Sequence, residues 1–185
     1  MTHMNRRVLA LSAVAALGLA ACGNGVGSDG AQKLDARVDA ALGFLDTQYP
    51  GTRDLRDKAA GMLVMPLVTE ASFGFGGSYG QGALRVNETS VDYYSAAQAS
   101  FGIQIGAQQY AHVLYFMTEE ALLEFRTSSG WAAGTDIEYV VNDRGGNLSA
   151  ETTTVLSPVI AVVFGQAGLA GGASVEGTKY TRIIP

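Results

Sequence analysis

Few residues in this chain have the means to do chemistry: Cys22, His112, and the acids Glu119, Glu120 and Glu124. A lone cysteine can act as a nucleophile or an acylation site, but it cannot form a disulfide or a cysteine-based metal site within one chain. His112 has the pKa range of a general base. It stands in a run that reads as a strand, and no Gly-x-Ser-x-Gly elbow offers it a nucleophile. The three glutamates follow Thr118, where acids suit the positive end of a helix, and that placement reads as capping and solvation. No metal-ligand spacing stands out. Without a catalytic constellation, the sequence reads as non-enzymatic, and neither a cofactor nor a metal is expected.

Cys22 has a more specific context. Arg6 and Arg7 precede an apolar run from Val8 to Leu19, about the length of an export signal and too short to span a bilayer securely. The run ends in Leu19-Ala20-Ala21-Cys22. This resembles the bacterial lipobox, whose cysteine is acylated and becomes the first residue of the mature protein. The competing reading is a plain secretory signal with a chance cysteine. Residues 23–30 have the Gly/Ser/Asp composition of a linker. The expected organisation is a lipoprotein signal peptide at 1–21, a flexible tether at 22–30 and one domain at 31–185. Gly23, rather than an aspartate, follows the cysteine; by analogy with enteric sorting this favours the outer membrane, facing the periplasm. Removing residues 1–21 takes away Arg6 and Arg7 and leaves 10 basic against 17 acidic residues, a net charge of −7. That balance argues against nucleic-acid binding.

The elements that must carry the domain follow from periodicity. Leu34, Val38, Leu42 and Leu45 recur at helical spacing, which predicts an amphipathic helix over 31–49. Tyr49-Pro50-Gly51 ends it, and Thr52 is expected to cap a second short helix through about Ala60. Residues 61–66 read as a buried strand. The next stretch, residues 72–84, reads SFGFGGSYGQGAL. Its even positions are serine and glycine, while Phe73, Phe75 and Tyr79 stand at odd positions. Period two is a strand with one aromatic face and one nearly bare face. A phosphate loop would need irregular spacing and a following helix; here a turn-like stretch at 87–90 and a further strand follow, which make a hairpin. The alternation recurs at 100–108 and 168–174. Glycine weakens a strand unless something must come close, so Gly74, Gly76 and Gly80 are expected to form a close-packing face. Residues 110–117 read as another strand, Thr118 caps a helix that stops at Gly130, residues 137–141 form a strand, and at least two strands follow. The fold class expected is α+β: N-terminal helices, then a strongly curved, mainly antiparallel, barrel-like sheet with one inserted helix.

Two membrane-spanning alternatives compete. Residues 152–175 carry no charge and contain Gly168-x-x-x-Gly172, as a transmembrane helix would; Pro158, Gln166 and the alternation at 168–174 favour strands instead. A small outer-membrane barrel would need alternation all the way round with aromatic girdles. The N-terminal helices, the lipobox and the ending Ile183-Ile184-Pro185 argue against it.

Four phrases together resemble the SYLF-domain family. They are Gly61-Met62-Leu63-Val64-Met65-Pro66 followed by the glycine strand of residues 73–82; Ser100-Phe101-Gly102-Ile103-Gln104-Ile105-Gly106-Ala107-Gln108; Phe116-Met117-Thr118-Glu119-Glu120-Ala121-Leu122 with Phe125; and Gly168-Leu169 followed by residues 174–182. The resemblance runs in order from about residue 34 to 183. It implies a lipid-binding module: eukaryotic relatives bind phosphoinositides through an N-terminal amphipathic segment, and some bind and bundle actin. Bacterial relatives are envelope proteins, often lipoproteins, and the actin role does not carry over to an exported protein. The partners expected are therefore membrane lipids. On the segment that binds lipid in relatives, Arg37, Arg53, Arg56 and Lys58 are the headgroup candidates. The alternative is that they solvate helix surfaces beside Asp35, Asp39, Asp54 and Asp57. The rival function is an envelope scaffold or protein-interaction module that binds no lipid.

Overall fold

The computed structural model describes residues 27–134, 138–141, 157–168 and 175–185. Cys22 and its signal segment, the turn expected at 142–147 and the glycine-rich run 169–174 lie outside the described residues.

Helix α1 (Gly30–Gln48) buries Leu34, Val38, Leu42 and Leu45, the stripe that helical spacing demands. Helix α2 (Thr52–Lys58) follows. Thr52 is its first residue and not its cap: the hydroxyl donates back to the Tyr49 carbonyl at 2.8 Å, and no side chain caps the helix. Two very long strands come next, β1 (Gly61–Val86) and β2 (Thr89–Phe116). Asn87 and Glu88 join them, both at positive φ (48° and 65°), as a two-residue hairpin turn requires. Helix α3 (Glu119–Thr127) is capped by the Thr118 side chain, which accepts from the Ala121 amide at 3.2 Å. Strands β3 (Trp131–Ala132), β4 (Glu138–Val141), β5 (Val159–Gly168) and β6 (Lys179–Ile183) complete the described elements. The architecture is α+β, with a curled, half-barrel sheet.

The β1–β2 ribbon organises that sheet. The strand order is β3-β6-β2-β5-β4, with β1 on the other side of β2. Strand β5 pairs with β2 from Gln108 to Phe116, whereas β6 pairs with it from Tyr93 to Ala97. All pairings are antiparallel except β4 with β5. The sequence divides β1 and β2 into shorter strands; the structure runs each without a break and absorbs the irregularities as register shifts. One shift falls between Met65 and Val68, at Pro66, which has no N–H to give a ladder. Residues 159–168 are strand, so the uncharged 152–175 segment is not one long helix. Among the described residues no helix is long and apolar enough to cross a membrane.

The sheet has a core on each face. On one face α1 and α2 cover Met62, Val64, Ala83, Val113, Tyr115, Ile160 and Val162. On the other, Leu63, Met65, Val68, Leu84, Tyr110, Leu114 and Phe116 meet α3. There Phe125 packs among Tyr94, Phe116 and Trp131 at tilted and edge-on angles, with ring centroids 4.6, 4.8 and 5.4 Å away.

The curl is so tight that β1 lies against itself. A β-carbon on Gly80 would stand 2.7 Å from the Leu67 carbonyl oxygen and 2.8 Å from Val68 Cγ2. On Gly82 it would stand 2.1 Å from the Val64 carbonyl oxygen. Gly76 is half-buried on the same alternation, and the surroundings of Gly74 lie outside the described residues. Large side chains therefore go outward: Phe73 and Phe75 are 79% and 77% exposed.

Backbone cannot yield as a side-chain tip can, so Gly82→Ala should destabilise by about 1–3 kcal/mol or more. Gly43→Ala is the control. Gly43 is interior to α1 with nothing near its β-carbon position, and alanine there should stabilise by about 0.5–1 kcal/mol. Thermal melts of both variants should move in opposite directions.

Candidate functional site

Arginine and carboxylate side chains converge where α1, α2 and the closed end of the ribbon meet. They line a cleft of about 400 Å³ bordered by Asp39, Leu42, Gly43, Asp46, Arg56, Met62, Arg85 and Glu88. A smaller hollow of about 170 Å³ shares Arg56, Met62, Arg85 and Glu88 and adds Asp57 and Asn87. Arg56 reaches the cleft because the break at Tyr49-Pro50-Gly51 turns α2 back towards α1. Arg85 reaches it as the penultimate residue of β1.

Each guanidinium is held by acids of α1. Arg56 pairs with Asp46. Arg85 Nη2 lies 2.7 Å from Asp39 Oδ1 and 3.8 Å from Asp35 Oδ1, and its Nη1 donates to the Glu88 carbonyl at 2.8 Å. Asp35 is fixed in turn by Ser90 Oγ at 2.6 Å and the Tyr93 hydroxyl at 2.9 Å. Burial, and then the Asp35 carboxylate, push the Tyr93 phenol above its ordinary pKa. The Nε–H groups of Arg56 and Arg85 are both buried without a hydrogen-bond partner. A buried donor without a partner is costly, and in both arginines the contact to α1 is made by Nη2 and leaves Nε–H unused.

The sequence candidates are not brought together. Arg56 lines the cleft. Arg53 stands at its margin, exposed, donating to the Asp46 carbonyl at 3.2 Å. Arg37 and Lys58 are exposed and line neither hollow. Arg85 is the partner that sequence reading missed. Its ion pair with Asp39 spans 46 residues, a separation with no local signal.

His112 is fully buried in β2, with Nε2 2.8 Å from the Tyr180 hydroxyl and Nδ1 without a partner. Burial lowers its pKa to about 3, so it is neutral at physiological pH. Glu119 and Glu120 occupy the first turn of α3. Among the described residues no group of three or more His, Cys, Asp or Glu side chains could hold a metal ion.

Residues 97–182 match the Ysc84 (SYLF) family, described as Las17-binding protein actin regulator. The SYLF match begins at Ala97 within β2 and takes in α3 and β3 to β6. It therefore covers the 100–108, 116–125 and 168–182 phrases. The Arg56–Arg85 cleft lies on the N-terminal side of it. No curated protein matches the chain.

The buried neutral histidine makes a pH prediction. Its folded pKa lies below the ordinary value of about 6.5, so the unfolded chain takes up the proton first. The stability it contributes is complete above pH 6.5 and is lost as pH falls from there towards 3, at roughly 1.4 kcal/mol per unit. Denaturant titrations at pH 7, 6 and 5 should show His112→Gln with a flatter pH dependence than the parent.

Proposed function

We propose that the chain is a membrane-anchored envelope lipoprotein whose SYLF-like domain is a non-enzymatic phospholipid-binding module. Acylated Cys22 holds it to the outer membrane, with the domain in the periplasm. The observation that carries the binding reading is the pair of guanidinium groups, Arg56 and Arg85, that line one cleft. A guanidinium fork matches the oxygens of a phosphate.

The cleft is not simply basic. Asp39, Asp46, Asp57 and Glu88 border the two hollows together with Arg56 and Arg85, so acids outnumber arginines. That arrangement favours a zwitterionic headgroup: phosphate against the arginines, ammonium against the exposed Asp39 and its acidic neighbours. It replaces general attraction of Arg37, Arg53, Arg56 and Lys58 to anionic lipid with recognition at one place. The family description concerns a protein that binds Las17 and regulates actin; an exported protein would not meet that partner. The second reading is an envelope scaffold that presents its sheet to another protein.

Two tests bear on this. Several acyl chains, each worth about 0.8 kcal/mol per buried CH₂, anchor stably. Cys22→Ser should therefore release the protein from membranes on carbonate extraction; retention would refute anchoring through Cys22. The released Cys22→Ser protein should then float with phosphatidylethanolamine-containing vesicles. Adding Arg56→Gln should weaken that about tenfold, the scale of one hydrogen bond to a charged group. Flotation that ignores Arg56 would move the contact elsewhere, and no flotation at all would favour the scaffold.

A further inference from the structure

The middle of the β1–β2 ribbon has a composition unlike the rest of the surface. From Ala71 to Leu84 on β1, and from Tyr93 to Phe116 on β2, there is no Asp, Glu, Lys or Arg. The two stretches are paired: Ala71 opposes Ala107, Phe73 opposes Ile105, Phe75 opposes Phe101, and Tyr79 opposes Ala97. Between Gln98 and Ala107 no third strand joins them among the described residues, since β6 stops at Ala97 and β5 reaches only Gln108. On this elbow Phe73, Phe75 and Tyr79 are 79%, 77% and 54% exposed. They are odd-numbered residues on the face of β1 opposite Gly80 and Gly82. That face is covered by α1 at Ala83 and open at the elbow. A folded protein rarely leaves large aromatics on an uncharged surface unless that surface meets something.

We propose that the elbow inserts into the acyl boundary of the bilayer that carries the protein, as a second membrane contact besides the acylated cysteine. The inference rests on the anchored reading above. The tether's length points to the bilayer as occupant. Ser28 is fastened to the chain end, its Oγ donating to the Pro185 carbonyl at 3.0 Å. The six steps from Cys22 to Ser28 reach at most about 20 Å, so the domain cannot leave the membrane surface. Ile183, two residues before Pro185, pairs with Tyr93, and Phe75 pairs eight residues further along β2. Those ten residues put the elbow no more than roughly 33 Å from the tether exit, less across the curl. Anchor and elbow thus reach one plane when the ribbon lies at a slant to it. Two aromatics with a phenol beside them, and no charge to desolvate, suit the headgroup–acyl boundary.

The test uses the full acylated chain in phosphatidylcholine vesicles whose acyl chains are brominated. Phe75→Trp is compared with Leu123→Trp, which places the reporter on α3 at a residue 62% exposed. Trp131, the single native tryptophan, contributes alike to both. Strong quenching of Phe75→Trp with little of Leu123→Trp is the expected result. Equal quenching, or none while the chain remains with the vesicles, overturns the elbow and leaves anchoring intact. Failure of the parent chain to remain with vesicles overturns the anchored reading and the elbow with it. A blue shift of Phe75→Trp that depends on protein concentration without vesicles assigns the surface to a second copy and overturns the proposal. In a second arm, Phe73→Ser with Phe75→Ser in the Cys22→Ser protein should reduce flotation with phosphatidylcholine vesicles by about tenfold or more, given the apolar area withdrawn. Unchanged flotation overturns insertion even if Arg56→Gln has an effect.

Discussion

Strand β1 passes over itself at backbone distance, and much of the molecule follows from that crossing. The Val64 and Leu67 carbonyls occupy the space that β-carbons on Gly82 and Gly80 would need. A strand with ordinary side chains there would have to uncurl. Because it stays curled, the two ends of one ribbon form a wall around Leu63, Met65, Val68, Leu84, Leu114 and Phe116, and α3 with Phe125 closes it. Glycine lowers strand stability by itself; here the close approach it permits builds a core that a flat ribbon could not enclose.

The same constraint shapes the surface. With the inner face of the elbow reduced to glycine and serine, its bulky residues stand on the outer face, so aromatics lie outside and small residues inside. Where α1 reaches the sheet, it covers that outer face and brings its acids to Arg85 at the end of β1. Where α1 does not reach, Phe73, Phe75 and Tyr79 stay exposed. A charged cleft and a charge-free elbow are thus two consequences of how far one helix extends across one curled ribbon. In the proposed function, the first takes a headgroup and the second the acyl boundary beneath it.

Much of this was legible in the sequence because it depends on local periodicity. Leu34, Val38, Leu42 and Leu45 gave α1 away, Thr118 with Glu119 and Glu120 marked the start of α3, and serine–glycine alternation identified a strand with a bare face. Alternation does not say which face turns inward, and hydrophobicity alone would have buried Phe73 and Phe75. Nor did the continuity of β1 show, because Pro66 reads as a terminator while the fold absorbs it in a register shift. The two-residue β3 has no period to detect. The cleft was half visible: Arg56 stood in a cluster of basic residues, but Arg85 becomes part of it only through the hairpin that returns β1 to α1.

The central claim is that Arg56 and Arg85 together receive a phospholipid headgroup. Their Nε–H groups, buried and without partners, are direct reporters. Proton–nitrogen NMR of the guanidinium groups in the Cys22→Ser protein, titrated with monomeric short-chain phosphatidylethanolamine, tests it most directly. The account predicts saturable shifts of both Nε–H resonances at the same lipid concentration. If both stay still while other resonances of the domain respond to the lipid, the headgroup site is elsewhere and the claim is wrong.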